Sequence, residues 1–319
     1  AYGMFVMDKM DTTTLNKDKL EVYKDTGDYT NIALFGLDSR EGELDGGVQS
    51  DCIMICSIDN KTNEIKLVSV YRDTLLKVTQ EKYGKANSAY RIGGPSEAIA
   101  LLNRNLDMDI EKYISVNFNA LADVVDALGG IDIDMTEEEV YWTNGYSVET
   151  SEVVGRETKD LSGAGVHTLD GVQAVSYARI RYTEGMDFKR TQRQRIVLEK
   201  IAEKAQKANV VTLNNIVNKV MPQISTNLTT ANMLGLAAHA TDYKLGEMSG
   251  FPFEVTTCEK VKNHKGSYVT AVGLSQNVSE LHEFLFGEKD YQPSDTVKQI
   301  SEDVIYMTGV DPDTYKLTT

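Results

Sequence analysis

The sequence predicts an α/β fold, a mixed central β-sheet flanked by helices on both faces in an α/β/α sandwich. Two observations predict it. Short apolar runs of strand length alternate with segments whose apolar residues recur at three- and four-residue steps. The 319 residues are 41% hydrophobic and 25% charged with only five prolines, enough to bury a large core and unlike a disordered chain.

The elements follow in order. Residues 1–28 are polar and partly helical in character, an entry segment. Asn31–Leu37 (NIALFGL) reads as a buried strand that ends in Asp38-Ser39-Arg40, and a loop with three glycines fills 40–49. Asp51–Ile58 and Glu64–Tyr71 flank the turn Asn60-Lys61-Thr62-Asn63 and pair as a hairpin, with Arg72-Asp73 at its end. Residues 80–94 read as loop. Pro95-Ser96 opens a helix that buries Ala98, Ile99, Leu101, Leu102 and Leu106. Tyr113–Val116 is a short strand and Asn119–Leu128 a helix, stopped by Gly129-Gly130 before the strand Ile131–Met135. Residues 141–165 are polar and read as a surface excursion. Helices are expected near Asp170–Ser176, from Phe188 to Ala208, over Val278–Phe286 and over about 294–308. The chain is thus partitioned into an entry segment (1–29), a main domain (30–286) and a helical tail (287–319).

The formal charge is −15, which argues against nucleic acid as a partner. The acidity is not uniform. Between residues 179 and 195, Arg179, Arg181, Lys189, Arg190, Arg193 and Arg195 face only Glu184 and Asp187, a net charge of +4 within an acidic chain. Cys52, Cys56 and Cys258 are too few and too odd in number for a disulfide framework, and no second pair supports a zinc site. No run of about 18 apolar residues spans a membrane. The chain opens on Ala1 with a short apolar Met4–Val6, so an upstream signal or anchor is expected. His167, His239, His264 and His282 are scattered and read as packing or surface residues. Phosphate-loop, dinucleotide, zinc-protease and serine-hydrolase signatures are missing.

The long helix makes the arginines informative. Its apolar stripe, Val197, Ile201, Ala205 and Ala208, extends backwards to Gln194 and Arg190, with Arg193 adjoining. A guanidinium turned inward needs a partner or a pocket. Two readings stand: a structural salt bridge, for instance to Asp187, or an anion pocket at the first turn of the helix. Just upstream, in Tyr177-Ala-Arg179-Ile-Arg181, an extended backbone would put Arg179 and Arg181 on one face. Two guanidinium forks in register suit two phosphates, hence a pyrophosphate. Asp38, Asp51 and Asp73 sit at strand ends. Two such carboxylates, with phosphate oxygens and water, compose a magnesium shell, although turn capping is the usual explanation of strand-end aspartates.

At this point the chain resembles the LytR–CpsA–Psr family. LFGLDSR (34–40), SD (50–51), SVYRDT (69–74), KANSAY (85–90), ALGGIDI (127–133), LDGVQAVSYARIRY (169–182) and DFKRTQRQR (187–195) are similar to its motifs, in the same order, over roughly residues 30–286. Lys189 stands where a small residue is usual in that family and Tyr71 where proline is frequent. The resemblance implies an extracellular enzyme of the bacterial cell surface, anchored in the membrane by an N-terminal helix and facing the cell wall. Such an enzyme moves a teichoic acid or capsular polysaccharide from a polyprenyl-pyrophosphate carrier to peptidoglycan through a phosphodiester link, with a tunnel for the lipid tail. By motif, Asp38 and Asp51 correspond to ligands of Mg2+ (or Mn2+). Arg72, Arg179, Arg181, Arg190, Arg193 and Gln194 correspond to pyrophosphate contacts, and Lys85 and Asn87 to further polar contacts. Asp73 and Asp187 are expected to orient or deprotonate the acceptor, with Arg72 beside them. Two rivals are a hydrolase that gives the pyrophosphate to water and a non-catalytic wall-binding or regulatory module.

Overall fold

The computed structural model describes residues 11–12, 15–23, 25–38, 44, 47–183, 185–229 and 240–315. Met4–Val6 and His239 lie outside the described residues. A brief pair β1 (Asp11–Thr12) precedes β2 (Tyr29–Leu37), and β3 (Ser50–Asp59) turns into β4 (Glu64–Val70). Short strands β5 (Leu75–Lys77) and β6 (Tyr83–Lys85) lead to helix α1 (Ser88–Leu106). Then come β7 (Lys112–Val116), α2 (Phe118–Ala127), β8 (Ile131–Met135), α3 (Glu137–Val154), β9 (Gly165–Leu169), α4 (Gly171–Arg179), α5 (Met186–Lys207) and α6 (Val210–Val220). The remainder comprises β10 (Ile224–Thr226), β11 (Lys244–Phe251), β12 (Val255–Cys258), β13 (Tyr268–Ala271), α7 (Leu274–Phe286), α8 (Asp295–Thr308) and the single turn α9 (Pro312–Tyr315). Among the described residues no helix is long and apolar enough to cross a membrane.

Seven strands form one mixed sheet in the order β1-β10-β7-β2-β3-β4-β11, flanked by helices as expected of an α/β sandwich. β1 runs parallel to β10, and β10 antiparallel to β7, whereas β3 and β4 form the expected hairpin with Met54 opposite Ser69 and Ile58 opposite Ile65. The chain divides into two compact units interleaved in sequence: Ala1–Thr13, Gly36–Leu44 and Ile114–Leu245 in the first, Thr14–Phe35, Asp45–Tyr113 and Gly246–Thr319 in the second.

In the first unit, Val125, Ile131, Ile133, Met135, Tyr177, Ile180 and Val197 share a core against which Trp142, Tyr146 and Ile201 pack. The polar stretch read as a surface excursion is largely helix α3. Its signal is a capping box, in which Thr136 accepts from the Glu139 N–H while Glu139 accepts from the Thr136 N–H. Its buried stripe, Val140, Thr143, Ser147 and Thr150, has helical spacing but only one aliphatic member, which hides it from a hydrophobic pattern. Ser147 and Thr150 bond back to carbonyls four residues earlier, and the Ser176 hydroxyl of α4 lies within bonding distance of both.

In the second unit, Phe35 meets Tyr90 edge to face at 5.2 Å, and Ile55, Leu76 and Ile99 are fully buried. The predicted loop over 80–94 contains β6 and the first turn of α1. The helix is interrupted at Gly93-Gly94, where Gly94 takes a left-handed φ of 67°, and Pro95 restarts it. The C-terminal helix is held by Asp107, which accepts from the Tyr291 hydroxyl at 3.0 Å and from the Ser294 N–H at 2.8 Å, Ser294 being the helix cap. His282 stacks on Tyr291 at 3.8 Å and reaches the Leu106 carbonyl, a packing histidine as expected.

The closest backbone approach in the first unit is at Gly171, where an added Cβ would lie 2.3 Å from the Ala122 carbonyl oxygen of α2. Gly171→Ala must spread α2 from α4 and should cost roughly 2–3 kcal/mol in denaturant unfolding. A loss under about 0.5 kcal/mol would show that the two helices are not in such close register.

Candidate functional site

The structure gathers the sequence-predicted residues into two groups, one in each unit. In the second unit the group grows from the end of β4. Arg72 donates through Nη1 to Asp51 Oδ1 of β3 at 2.6 Å, with both side chains mostly buried. The Thr74 N–H and hydroxyl both donate to the Tyr71 carbonyl, folding the chain sharply after Arg72. The Asn87 N–H then donates to the Arg72 carbonyl at 3.0 Å, and Lys85 Nζ lies 3.6 Å from Asp73 Oδ1. Four of the predicted polar positions (Arg72, Asp73, Lys85 and Asn87) are thereby drawn together by a β-turn and the β5–β6 hairpin. Asn87 is buried at the start of α1 without capping it, and its Oδ1 has no hydrogen-bond partner among the described residues. Such an acceptor is costly unless something else satisfies it.

Tyr268 is a member of this group that sequence reasoning missed. Lys85 Nζ stands 5.3 Å from its ring centroid, and its phenol pKa is raised by burial and then by the Asp73 charge. Nothing local in SYVTA marks it, because it arrives through the β12–β13 hairpin, whose Val269 N–H donates to the Asp73 carbonyl at 3.0 Å.

In the first unit the group lies on α3, α4 and α5. α4 begins at an Asp170 capping box and runs through Arg179, so Arg179 is helical and the extended reading of this stretch is corrected. Tyr177 and Ala178 are buried in the core and hold the backbone in the helix, which it leaves at Ile180 (φ −56°, ψ 127°). Arg179 closes α4 with Nη1 donating to Thr150 Oγ1 at 3.1 Å and Nη2 3.4 Å from Glu149. Its guanidinium lies over the Phe118 ring at 4.7 Å and near Tyr146 at 5.7 Å. Arg181 follows one residue beyond Ile180, half-buried, and forms no ion pair among the described residues.

The inward face read from the stripe of α5 is observed: Arg190, Arg193 and Val197 are its buried residues, together with Thr191. Arg190 pairs with Asp187 at 2.8 Å, which is the structural salt bridge weighed above. Arg193 is committed to the protein. Nε donates to Glu139 at 2.8 Å, Nη2 to Thr183 Oγ1 at 2.7 Å and Nη1 to the Ile180 carbonyl at 3.4 Å. Beside it the Tyr177 phenol pKa is pushed up by burial and by the Glu139 carboxylate. Arg193 thus positions the Ile180–Thr183 turn that carries Arg181. Gln194 is half-buried, and its Oε1 has no hydrogen-bond partner among the described residues.

Of the predicted metal ligands, Asp51 is the partner of Arg72, and Asp38 lies exposed one residue past β2. Among the described residues no three Asp, Glu, His or Cys side chains cluster as a metal site by themselves. Cys56 is half-buried on β3 and desolvation pushes its thiol up to about 12, a packing residue rather than a reactive one.

The first unit's site is thus a cluster of guanidinium groups held by carboxylates, an arrangement whose donors suit an anion. The chain belongs to the LytR_cpsA_psr family, whose model matches residues 3–283. It is 32% identical over 231 residues to the polyisoprenyl-teichoic acid–peptidoglycan teichoic acid transferase TagU of Bacillus subtilis (strain 168), an alignment spanning 72% of this chain and 68% of that one. It is 30% identical over 229 residues to the TagU of Enterococcus faecalis (strain ATCC 700802 / V583), over 70% and 68% of the two chains. Among solved structures, TagT bound to LI-WTA matches with a TM-score of 0.63 at 22% identity, covering 83% of this chain and 92% of that one. TagT with bound octaprenyl pyrophosphate lipid matches with a TM-score of 0.58 at 22% identity, covering 82% and 92%.

The two arginines on either side of the 180–183 turn should separate by experiment. Arg193→Ala leaves Glu139 mostly buried without its cation and should cost about 3–5 kcal/mol of stability. Arg181→Ala should change stability by less than about 0.5 kcal/mol. Equal losses in thermal unfolding would contradict the division between a positioning arginine and one available to a ligand.

Proposed function

We propose that this protein transfers a glycopolymer, a teichoic acid or a related wall polysaccharide, from a polyprenyl-pyrophosphate carrier to peptidoglycan at the outer face of a bacterial membrane. The observation that carries the reading is the 179–194 segment. Arg179 and Arg190 are largely buried beside Glu149 and Asp187, and the half-buried Arg181 forms no ion pair among the described residues. A dianionic pyrophosphate complements this cluster of cations, and guanidinium forks match its oxygens two at a time. Family membership and the names of the relatives support the same substrate class.

The reaction balances as a displacement at phosphorus. An acceptor sugar hydroxyl attacks the phosphorus that carries the glycan, the bridging P–O bond breaks, and polyprenyl phosphate leaves with both bridging electrons. The hydroxyl proton goes to a carboxylate of the protein. Asp73 is our candidate for that base, because it is a quarter exposed and its 3.6 Å contact with Lys85 is loose. Asp187 instead fixes the Arg190 guanidinium. In the first unit, Arg179, Arg181 and Arg190 are the candidates to hold the pyrophosphate oxygens and stabilise the charge that develops on them, and Arg72 of the second unit is a candidate by motif alone. Lys85 and Asn87 complete the polar contacts, and Arg193 acts through the turn it positions.

Asp38 and Asp51 are our candidate ligands for Mg2+. They fit in kind, since carboxylate oxygens are the hard donors this ion takes, and one Asp51 oxygen already faces a cation, the Arg72 guanidinium. A bound magnesium ion would neutralise phosphoryl oxygens. An anchor preceding this chain would hold it at the membrane.

The Arg179→Ala/Arg181→Ala double variant should lose on the order of 10²–10³-fold in transfer of a lipid-linked glycan to peptidoglycan fragments, followed by chromatography of the labelled acceptor. Asp51→Asn should raise the magnesium concentration needed for half-maximal rate. Release of free glycan phosphate with no labelled acceptor would identify a hydrolase, and unchanged transfer in the double variant would place the site elsewhere.

A further inference from the structure

One surface of the first unit is left over. Along α3 and into the 180–183 turn, four aromatic rings form a continuous shelf. Tyr141 meets Trp142 at 5.2 Å, Trp142 meets Tyr182 at 5.3 Å, and Tyr146 stacks on Tyr182 at 6.4 Å with planes 18° apart. Trp142 and Tyr146 rest on the core, while Tyr141 and Tyr182 are 70% and 62% exposed. Large aromatic rings grouped in the open usually face a ligand.

A second, independent feature is Gly145. It sits in the middle of the 18-residue α3, between Trp142 and Tyr146, where glycine weakens a helix relative to alanine. An added Cβ would meet nothing within 4 Å among the described residues, and the backbone there is helical, so neither crowding nor a left-handed φ among them calls for glycine. The glycine leaves helix backbone bare beside the rings, room for a ligand to approach closely.

We infer that the Tyr141–Trp142–Tyr146–Tyr182 shelf, with the gap at Gly145, is a pyranose-stacking subsite for the sugar bonded to the pyrophosphate. The inference rests on the transfer reading above and adds how the glycan end is recognised. The shelf is continuous with the phosphate group: the Arg179 guanidinium lies 5.7 Å from the Tyr146 ring, and Arg181 immediately precedes Tyr182. A sugar bonded to a phosphate held there must lie beside those groups. Its apolar C–H face packs on a ring while its hydroxyls stay wet. The occupant is not a membrane surface, because α3 carries five glutamates and no lysine or arginine, which repels anionic lipid.

Trp142 is the only tryptophan of the chain, so its emission reports on the shelf directly. Farnesyl pyrophosphate and farnesyl-pyrophosphoryl-N-acetylglucosamine are titrated into the whole protein with magnesium, with calorimetry alongside. The glycosylated probe should shift Trp142 emission to shorter wavelength and bind more tightly, and the bare one should bind without the shift. Tyr182→Ala should weaken the glycosylated probe about tenfold and leave the bare one unchanged. Gly145→Gln should raise the melting temperature by about 1–3 °C yet weaken the glycosylated probe alone, a combination that damage to the fold cannot produce. If both variants keep the wild-type ratio of the two affinities, the subsite is wrong while the transfer reading stands. If wild-type protein binds neither probe, both fall. A Trp142 shift on adding phosphatidylglycerol vesicles alone would assign the shelf to a membrane and overturn the sugar.

Discussion

The buried ion pair between Arg193 and Glu139 is the constraint on which the first unit's site depends. Neither charge could remain buried alone, and the pair sits where α3, α5 and the 180–183 turn meet. Glu139 also closes the capping box of α3. One carboxylate therefore sets where a helix starts, and its guanidinium partner sets the path of the turn. The position of Arg181 follows from that path, and Tyr182 is carried by it to the rings of Trp142 and Tyr146.

The same logic distributes the positive charge. In a chain of net charge −15, surface arginines would be neutralised by their surroundings. Burial beside Glu149 and Asp187 fixes the orientation of the Arg179 and Arg190 guanidinium groups. Arg179 is further braced by Phe118 and by the Thr150 hydroxyl. An anion arriving at such groups meets donors whose orientation has already been fixed during folding, so little reorganisation remains for the binding step. In the second unit Asp51 does for Arg72 what Asp187 does for Arg190.

Much of this was legible in the sequence, for reasons that differ by residue. Arg190 could be turned inward because Val197 and Ile201 continue its stripe, and helical periodicity is a strong local signal. The hairpin ending in Arg72-Asp73 was marked by its Asn-rich turn. Helix α3 was hidden because Thr143, Ser147 and Thr150 do the packing that aliphatic residues usually do. Arg179 was misread as extended because two arginines at alternate positions imitate a strand, while the core contacts of Tyr177 and Ala178 that hold it in α4 come from elsewhere in the fold. Tyr268 carried no local signal. Its place beside Asp73 and Lys85 is a product of tertiary pairing alone.

These misreadings have a common origin. A hydrophobic pattern registers side chains that avoid water, whereas the site is built by side chains that satisfy one another: hydroxyls bonded to carbonyls in α3, carboxylates bonded to guanidinium groups in α5. Such partners are defined by geometry across elements, which a linear pattern does not encode. The exposed rings of α3 fall outside both categories. Trp142 and Tyr146 rest one side on the core while Tyr141 stands in the open, and Gly145 among them gives up helix stability with no packing return among the described residues. When a position is costly to the free protein and the described structure offers no compensation, the compensation belongs to a bound state. That is the physical ground for reading this face of α3 as part of the substrate's surroundings rather than as surface.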